Sequence, residues 1–224
     1  MDESHASRHE GVGRWGRAVT GTEIEFRHGL EGEAEVHAAA MILLEAFTMK
    51  VNRMKLFPRS DEQAERVLAQ QICPGQAFVA LRQGQVVGIA GVDDRNGNLK
   101  LVNWRVLARE FGRLGAAWRG VWLKALRVLE APGRGELRVT AIAVEGTMRG
   151  RGVGGSLLGR VIEHARQEGY RAVVLDVVDT NPARRLYERM GFKAVRTSHL
   201  GALTRGAGFS AVTRMRKETM EGAR

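Results

Sequence analysis

Cysteine is nearly missing from this chain: Cys73 stands alone among 224 residues. A single thiol excludes an intrachain disulfide and fits a reducing compartment. No His-rich motif accompanies it, so Cys73 reads as a buried structural thiol rather than a nucleophile. The six histidines, at positions 5, 9, 28, 37, 164 and 199, are scattered without metal-ligand spacing, and no metal is expected. Long apolar runs are missing too. The longest, Ala38 to Leu44, stops at Glu45 and is too short to span a bilayer. Met1 to Thr20 is polar and lacks the apolar centre of a signal peptide. A cytoplasmic protein with a flexible tail over residues 1–20 is the expectation, followed by one domain over 21–220. The formal charge of +10 raises nucleic acid as a partner. Yet aromatics are few, they are not interleaved with basic residues, and no zinc motif or helix-turn-helix is apparent, so specific nucleic-acid binding is not expected.

What is present is a core-forming chain, 44% hydrophobic, organised around one stretch. Val139 to Val144 is short, apolar and β-branched, part of a central strand over Glu136 to Val144. Leu158, Val161, Ile162 and Ala165 then recur at helical spacing, with Gly169 as the stop. Between them runs Arg149-Gly-Arg-Gly-Val-Gly-Gly155. Gly150, Gly152, Gly154 and Gly155 leave backbone N–H groups unshielded, and the start of a helix has N–H groups without internal partners and a partial positive charge. Such a loop suits a phosphate or pyrophosphate, with Arg149 and Arg151 as charged additions.

Two families share this outline. Gly150-x-Gly152-x-x-Gly155 matches the dinucleotide fingerprint of oxidoreductases, with Asp176 downstream. Against it, Glu145 to Met148 separate strand from loop, Asp176 sits inside the strand Ala172 to Val178, and little chain remains for a second domain. The same residues also spell Arg149-x-x-Gly152-x-Gly154, which resembles the acetyl-CoA loop of the GNAT N-acetyltransferase superfamily. Asn181-Pro-Ala-Arg-Arg-Leu-Tyr187-Glu-Arg-Met-Gly191-Phe192 is similar to that superfamily's Asn…Leu-Tyr-x-x-x-Gly-Phe signature. The resemblance is clearest over about residues 136–195.

The remaining chain fits an α/β (α+β) reading. Glu23 to Arg27 alternates as a strand, residues 32–54 place Val36, Ala40, Leu43, Leu44, Phe47, Val51 and Met54 on one helical face, and Ser60 to Gln63 forms a capping box before another helix. Gln76 to Arg82 and Gln85 to Val92 predict a hairpin joined at Gly84. Asp93-Asp94 opens a turn and reads as solvated. Residues 99–132 predict a helical hairpin with a tryptophan-rich apolar stripe ringed by arginines, inserted before the central strand. Packing over the sheet, a lid, a dimer contact and a membrane-surface face are all compatible with it. Phe192 to Ser198 and Phe209 to Lys217 predict a closing hairpin.

The resemblance implies a GNAT fold: a mixed, mostly antiparallel twisted sheet flanked by helices. It implies acetyl-CoA as cosubstrate and transfer of the acetyl group to a primary amine by direct attack. Arg149, Gly150, Arg151, Gly152, Val153, Gly154 and Gly155 would hold the pyrophosphate, backbone at Ile142 and Val144 would pair with the pantetheine arm, and Asn181 would contact the cofactor. Tyr187 matches the general acid and Glu136 the general base of histone-type members, with Glu145 or water as the alternative. The acceptor amine is not readable, and a homodimer is compatible. A non-catalytic acyl-CoA-binding module and a ribosome- or nucleic-acid-associated protein are the rival readings.

Overall fold

A computed structural model describes residues 14–15, 24–51, 60–94, 97–99, 103–199 and 209–219. In chain order the elements are β1 (Arg14–Trp15), β2 (Ile24–His28), α1 (Gly32–Val51), α2 (Asp61–Ala69), β3 (Ala77–Arg82), β4 (Gln85–Asp93), α3 (Trp104–Glu130), β5 (Glu136–Val144), α4 (Val153–Gln167), β6 (Ala172–Val178), α5 (Arg184–Arg189), β7 (Lys193–His199) and β8 (Ala211–Glu218). The strands form one sheet in the order β1-β2-β3-β4-β5-β6-β8-β7. Every pairing is antiparallel except β5 with β6. That parallel pair needs a crossover, and α4 supplies it. The mixed, mostly antiparallel sheet flanked by helices is the fold class expected from sequence. Within the stretch read as a flexible tail, Arg14 and Trp15 pair with Arg27 and Phe26. The rest of residues 1–20 lies outside the described residues.

Two apolar layers sandwich the sheet. Val153, Leu157, Leu158, Val161 and Ala165 of α4 pack with Leu137, Val139, Val173, Leu175 and Val177. Ala39, Ala40, Ile42 and Leu43 of α1 pack on the other face with Val79, Ile89, Ala141 and Ala143. Each fully buried aliphatic side chain contributes about 1.5–3 kcal/mol relative to exposure. Strand β5 serves both layers through a bulge. Gly91 pairs with Ala141 and Val92 with Val139, so Thr140 is an extra residue in β5. The insertion switches faces: Leu137 and Val139 point to α4, whereas Ala141 and Ala143 point to α1.

Two sequence expectations change. Asp93 and Asp94 do not form a solvated turn. Asp93 accepts the Leu99 amide at 2.8 Å, and Asp94 accepts the Tyr170 hydroxyl at 2.7 Å and the Gly97 amide at 2.6 Å. Short polar side chains that bond nearby backbone are turned inward by those bonds. Cys73 is half-buried rather than buried. The helical insertion is present as α3, capped by the Asn103 carbonyl oxygen accepting the Arg105 amide at 3.0 Å. Gly112, at φ 73° and ψ 167°, breaks it into two arms. Its Val106, Leu107 and Ala116 pack with Val67 of α2, so the described buried side chains of α3 pack on the helical layer.

On the face away from α4, Asp176 of β6 is held by Arg214 (3.0 Å) and Arg138 (3.2 Å). This ion-pair cluster accounts for the aspartate that a dinucleotide reading would have placed on a ribose. Burial disfavours its charge, but hydrogen bonds and attraction from Arg214 and Arg138 outweigh that and hold the carboxyl below the usual aspartate range. Its ionisation therefore stabilises the fold above the unfolded-state pKa, and the contribution is lost as pH falls through the lower folded-state value. Asp176→Asn leaves two guanidinium groups facing each other. We expect a loss of roughly 2–4 kcal/mol in urea unfolding at pH 7, and a smaller loss near pH 3.

Candidate active site

The parallel pairing of β5 with β6 is short. It runs from Glu136–Ala172 to Val139–Leu175 and stops. Beyond it, β5 stays with β4 up to Val144–Gly88, while Asp176, Val177 and Val178 stay with β8. The two strands therefore part at Thr140 and Asp176. The Glu145 amide donates to the Val87 carbonyl, which fixes the alternation of β5. Backbone groups of Ile142 and Val144 consequently point away from β4, into the fork. An extended ligand segment can pair there as a strand would.

Above the fork, β5 leads through a 3₁₀ turn (Gly146–Met148) to the glycine loop and α4. Gly150 and Gly152 have φ of 75° and 84°, the left-handed region that side chains with a Cβ resist. Gly152 is the N-cap of α4 and, as a glycine, brings no side-chain cap of its own. The first-turn N–H groups of Val153, Gly154 and Gly155 thus face outward with the positive end of the dipole. A Cβ on Gly154 would lie 3.7 Å from Val144 and 3.8 Å from Ile142, which puts the helix start against the β5 residues lining the fork.

Arg149 turns back toward the strand. Its Nε donates to the Val144 carbonyl at 3.0 Å, and its Nη2 donates to Glu45 of α1 at 2.6 Å. Arg151 is exposed. Glu45 was not anticipated from sequence, because it meets Arg149 across 104 residues and α1 carries no motif.

Tyr187 lies on α5 and shares a core cluster with Val139, Val153, Leu175 and Val177, residues at the fork and the helix start. Its ring meets Phe192 edge-on at 6.2 Å. Burial pushes its phenol up to about 12, so the hydroxyl stays protonated through neutral pH. Asn181 caps its own turn, its Oδ1 accepting the Ala183 amide at 3.0 Å. The helix starts at Arg184, later than an Asn181 N-cap predicts. That turn engages one face of the Asn181 amide in local structure.

Glu136 and Glu145 sit at opposite ends of β5. Glu145 adjoins the glycine loop and accepts the Thr147 hydroxyl at 3.0 Å. Glu136 lies four residues before the fork, roughly 13 Å along the strand. Its carboxylate accepts the Gly133 amide at 2.8 Å and pairs with Arg216 at 3.3 Å. The loop, Ile142, Val144 and Tyr187 are thus brought together, and Glu136 stands apart at the paired end. Among the described residues no group of side chains is arranged to hold a metal ion.

Comparison with known proteins follows the same outline. No curated protein matches the chain. Solved structures with the same fold include one described as an acetyltransferase, 24% identical, with 87% of this chain and 99% of that chain covered at a TM-score of 0.55. The ribosomal-protein-S18-alanine N-acetyltransferase from Escherichia coli is 18% identical, with 89% and 97% covered at 0.51. A Drosophila melanogaster polyamine N-acetyltransferase that forms N-acetylagmatine is 20% identical, with 87% and 99% covered at 0.54. The model of the Acetyltransferase (GNAT) family matches residues 42–192, from α1 to the end of the Tyr187 motif. That span is about two thirds of the chain, and the protein belongs to the GNAT acetyltransferase family.

Proposed function

We propose that the protein transfers the acetyl group of acetyl-CoA to a primary amine by direct attack. The observation that carries this reading is the fork: past the β5–β6 pairing, backbone of Ile142 and Val144 faces away from β4, with the Val144 carbonyl held by Arg149, beside a glycine loop whose amides face outward. The pyrophosphate is held by the amides of residues 150–155 and by Arg149 and Arg151. The pantetheine arm lies along Ile142 and Val144, which aims the thioester at the point where β5 and β6 part. The amine enters from the face opposite α4, attacks the thioester carbonyl, and the C–S bond breaks. Tyr187 gives its proton to the departing thiolate and regains one from the nitrogen as it becomes the amide, so that one proton passes from nitrogen to sulfur overall. An alkylammonium with a pKa near ~10 must first lose its proton. A relay of several waters carries that proton from the fork to Glu136, whose carboxylate is too far away for direct contact.

The acceptor amines of the solved relatives range from a ribosomal protein to agmatine. Here the acceptor-side face presents the Asp176, Arg138 and Arg214 cluster, in which charges of both signs alternate. The strongly basic chain disfavours polycationic amines at the entrance. A monoamine or a peptide amine is the preferred acceptor class.

Calorimetric titration with acetyl-CoA should show micromolar binding, absent with NADH and lost in Gly152→Glu. Binding of NADH in place of acetyl-CoA would overturn the reading. Tyr187→Phe should lower kcat roughly a hundredfold with acetyl-CoA affinity unchanged, whereas Glu136→Gln should lower it about tenfold or less. Acetyl-CoA binding without acetyl transfer to any amine of an acceptor screen would favour the binding-module reading, and equal activity of wild type and both variants would remove Tyr187 and Glu136 from the mechanism. Glu45→Gln should tighten acetyl-CoA about two- to fivefold, because the Glu45 carboxylate competes with the pyrophosphate for Arg149. The gain should shrink with added salt.

A further inference from the structure

We propose that the α3 hairpin is a docking surface for an anionic lipid bilayer. Its two arms fold back at Gly112, and Trp104 at the start of the first arm lies over Gly120 of the second, 3.7 Å from where a Cβ would stand. The inner side of the hairpin is satisfied: Val106, Leu107 and Ala116 are buried with Val67 of α2. The outer side is not. Leu114 is 88% exposed, Val121 72%, Trp104 49% and Trp118 46%. Leu114, Trp118 and Val121 follow each other at four and three residues, which puts them on one helical face. These are four of the six large hydrophobics exposed among the described residues, concentrated on one element.

Charge identifies the occupant. Arg105, Arg109 and Arg113 are exposed on the same hairpin. Arg119 lies 4.3 Å over the Trp118 ring and 4.0 Å from that of Phe111, so a cation borders the apolar face. Glu110 is the one carboxylate among the described side chains of α3, and it is turned away into a pair with Arg66 at 3.2 Å. An amphipathic helix with arginines beside tryptophan and leucine fits the boundary between headgroups and acyl chains, where indole rings sit at headgroup depth and phosphates meet the cations. A second copy of the chain suits this face poorly. A twofold interface sets a patch against itself and would bring the arginines together. A bilayer also needs no complementary groove. Among the described residues no helix is long and apolar enough to cross a membrane, so the association would be with the surface.

The test is sedimentation of the full chain with sucrose-loaded vesicles of phosphatidylcholine alone or with 30% phosphatidylglycerol. Binding is expected to the anionic vesicles, to weaken steeply between low and high salt, and to shift tryptophan emission to shorter wavelength. Leu114→Ser with Val121→Ser should weaken it at least tenfold. Arg105→Gln, Arg109→Gln and Arg113→Gln should each cost roughly fivefold. All these side chains are exposed, so thermal unfolding and acetyl-CoA binding should be preserved in every variant, which separates this surface from the catalytic site. Absence of binding to anionic vesicles at low salt would overturn the proposal. So would binding indifferent to the Leu114/Val121 change, which would mark general attraction of a basic chain. Capture by polyglutamate as tight as by vesicles would reassign the surface to an acidic protein.

Discussion

The constraint on which the site depends is the early end of one parallel strand pairing. A parallel pair carries slanted, evenly spaced hydrogen bonds, and β5 and β6 share them over four residues of each strand. Past that point each strand is held from its outer side, β5 by β4 and β6 by β8. Backbone groups of Ile142 and Val144 are left facing a gap inside an otherwise continuous sheet. Buried backbone amides and carbonyls need partners, so such a gap is stable where solvent or a ligand enters it. The bulge at Thr140 sits at the same level and changes which side chains each layer receives. Backbone supply and the change of face thus coincide within a few residues of β5.

The two faces of the sheet differ in how they are held. Toward α4 the packing is apolar and continuous, from Val153 at the helix start to Ala165 near its end. That rigidity positions the glycine loop, because α4 cannot shift without disturbing Val139, Leu175 and Val177. On the other face α1 and α2 cover the half of the sheet up to β5. Beyond them the surface of β5, β6 and β8 is built from Glu136, Arg138, Asp176, Arg214 and Arg216 in alternating charge. Charged pairs that hold one another stay in fixed places. Glu45 and Arg149 join the covered half to the loop, so α1 and the glycine loop are in direct contact.

Much of this was legible in the chain. The glycine loop and the Leu-Tyr-x-x-x-Gly-Phe run lie within short stretches, where local geometry and sequence coincide. β5 matches its expected span from Glu136 to Val144, because nine residues with that apolar content have few alternatives. The hairpin arms of α3 were legible from their stripe and from the glycines around residue 112. Contacts between distant segments were not. Nothing local tells Asp94 that Tyr170 will reach it, nor Asp176 that Arg138 and Arg214 will flank it. The bulge at Thr140 is likewise silent, since its neighbours on both sides are apolar. The direction in which α3 packs was also open, for an amphipathic helix states which face is buried and not against what. Glu136 shows the limit of motif spacing: an offset of thirteen residues from Arg149 gives a place on the strand, and only tertiary structure shows its ties to Arg216 and Gly133.

The account stands most directly on the fork as the seat of the pantetheine arm. Amide hydrogen exchange with and without saturating acetyl-CoA tests it residue by residue. The account predicts slowing at Ile142, Val144 and the amides of residues 150–155, with Ala141 and Ala143 unchanged because β4 already protects them. Protection that appears elsewhere, with the Ile142 and Val144 amides exchanging as fast as before, would contradict it.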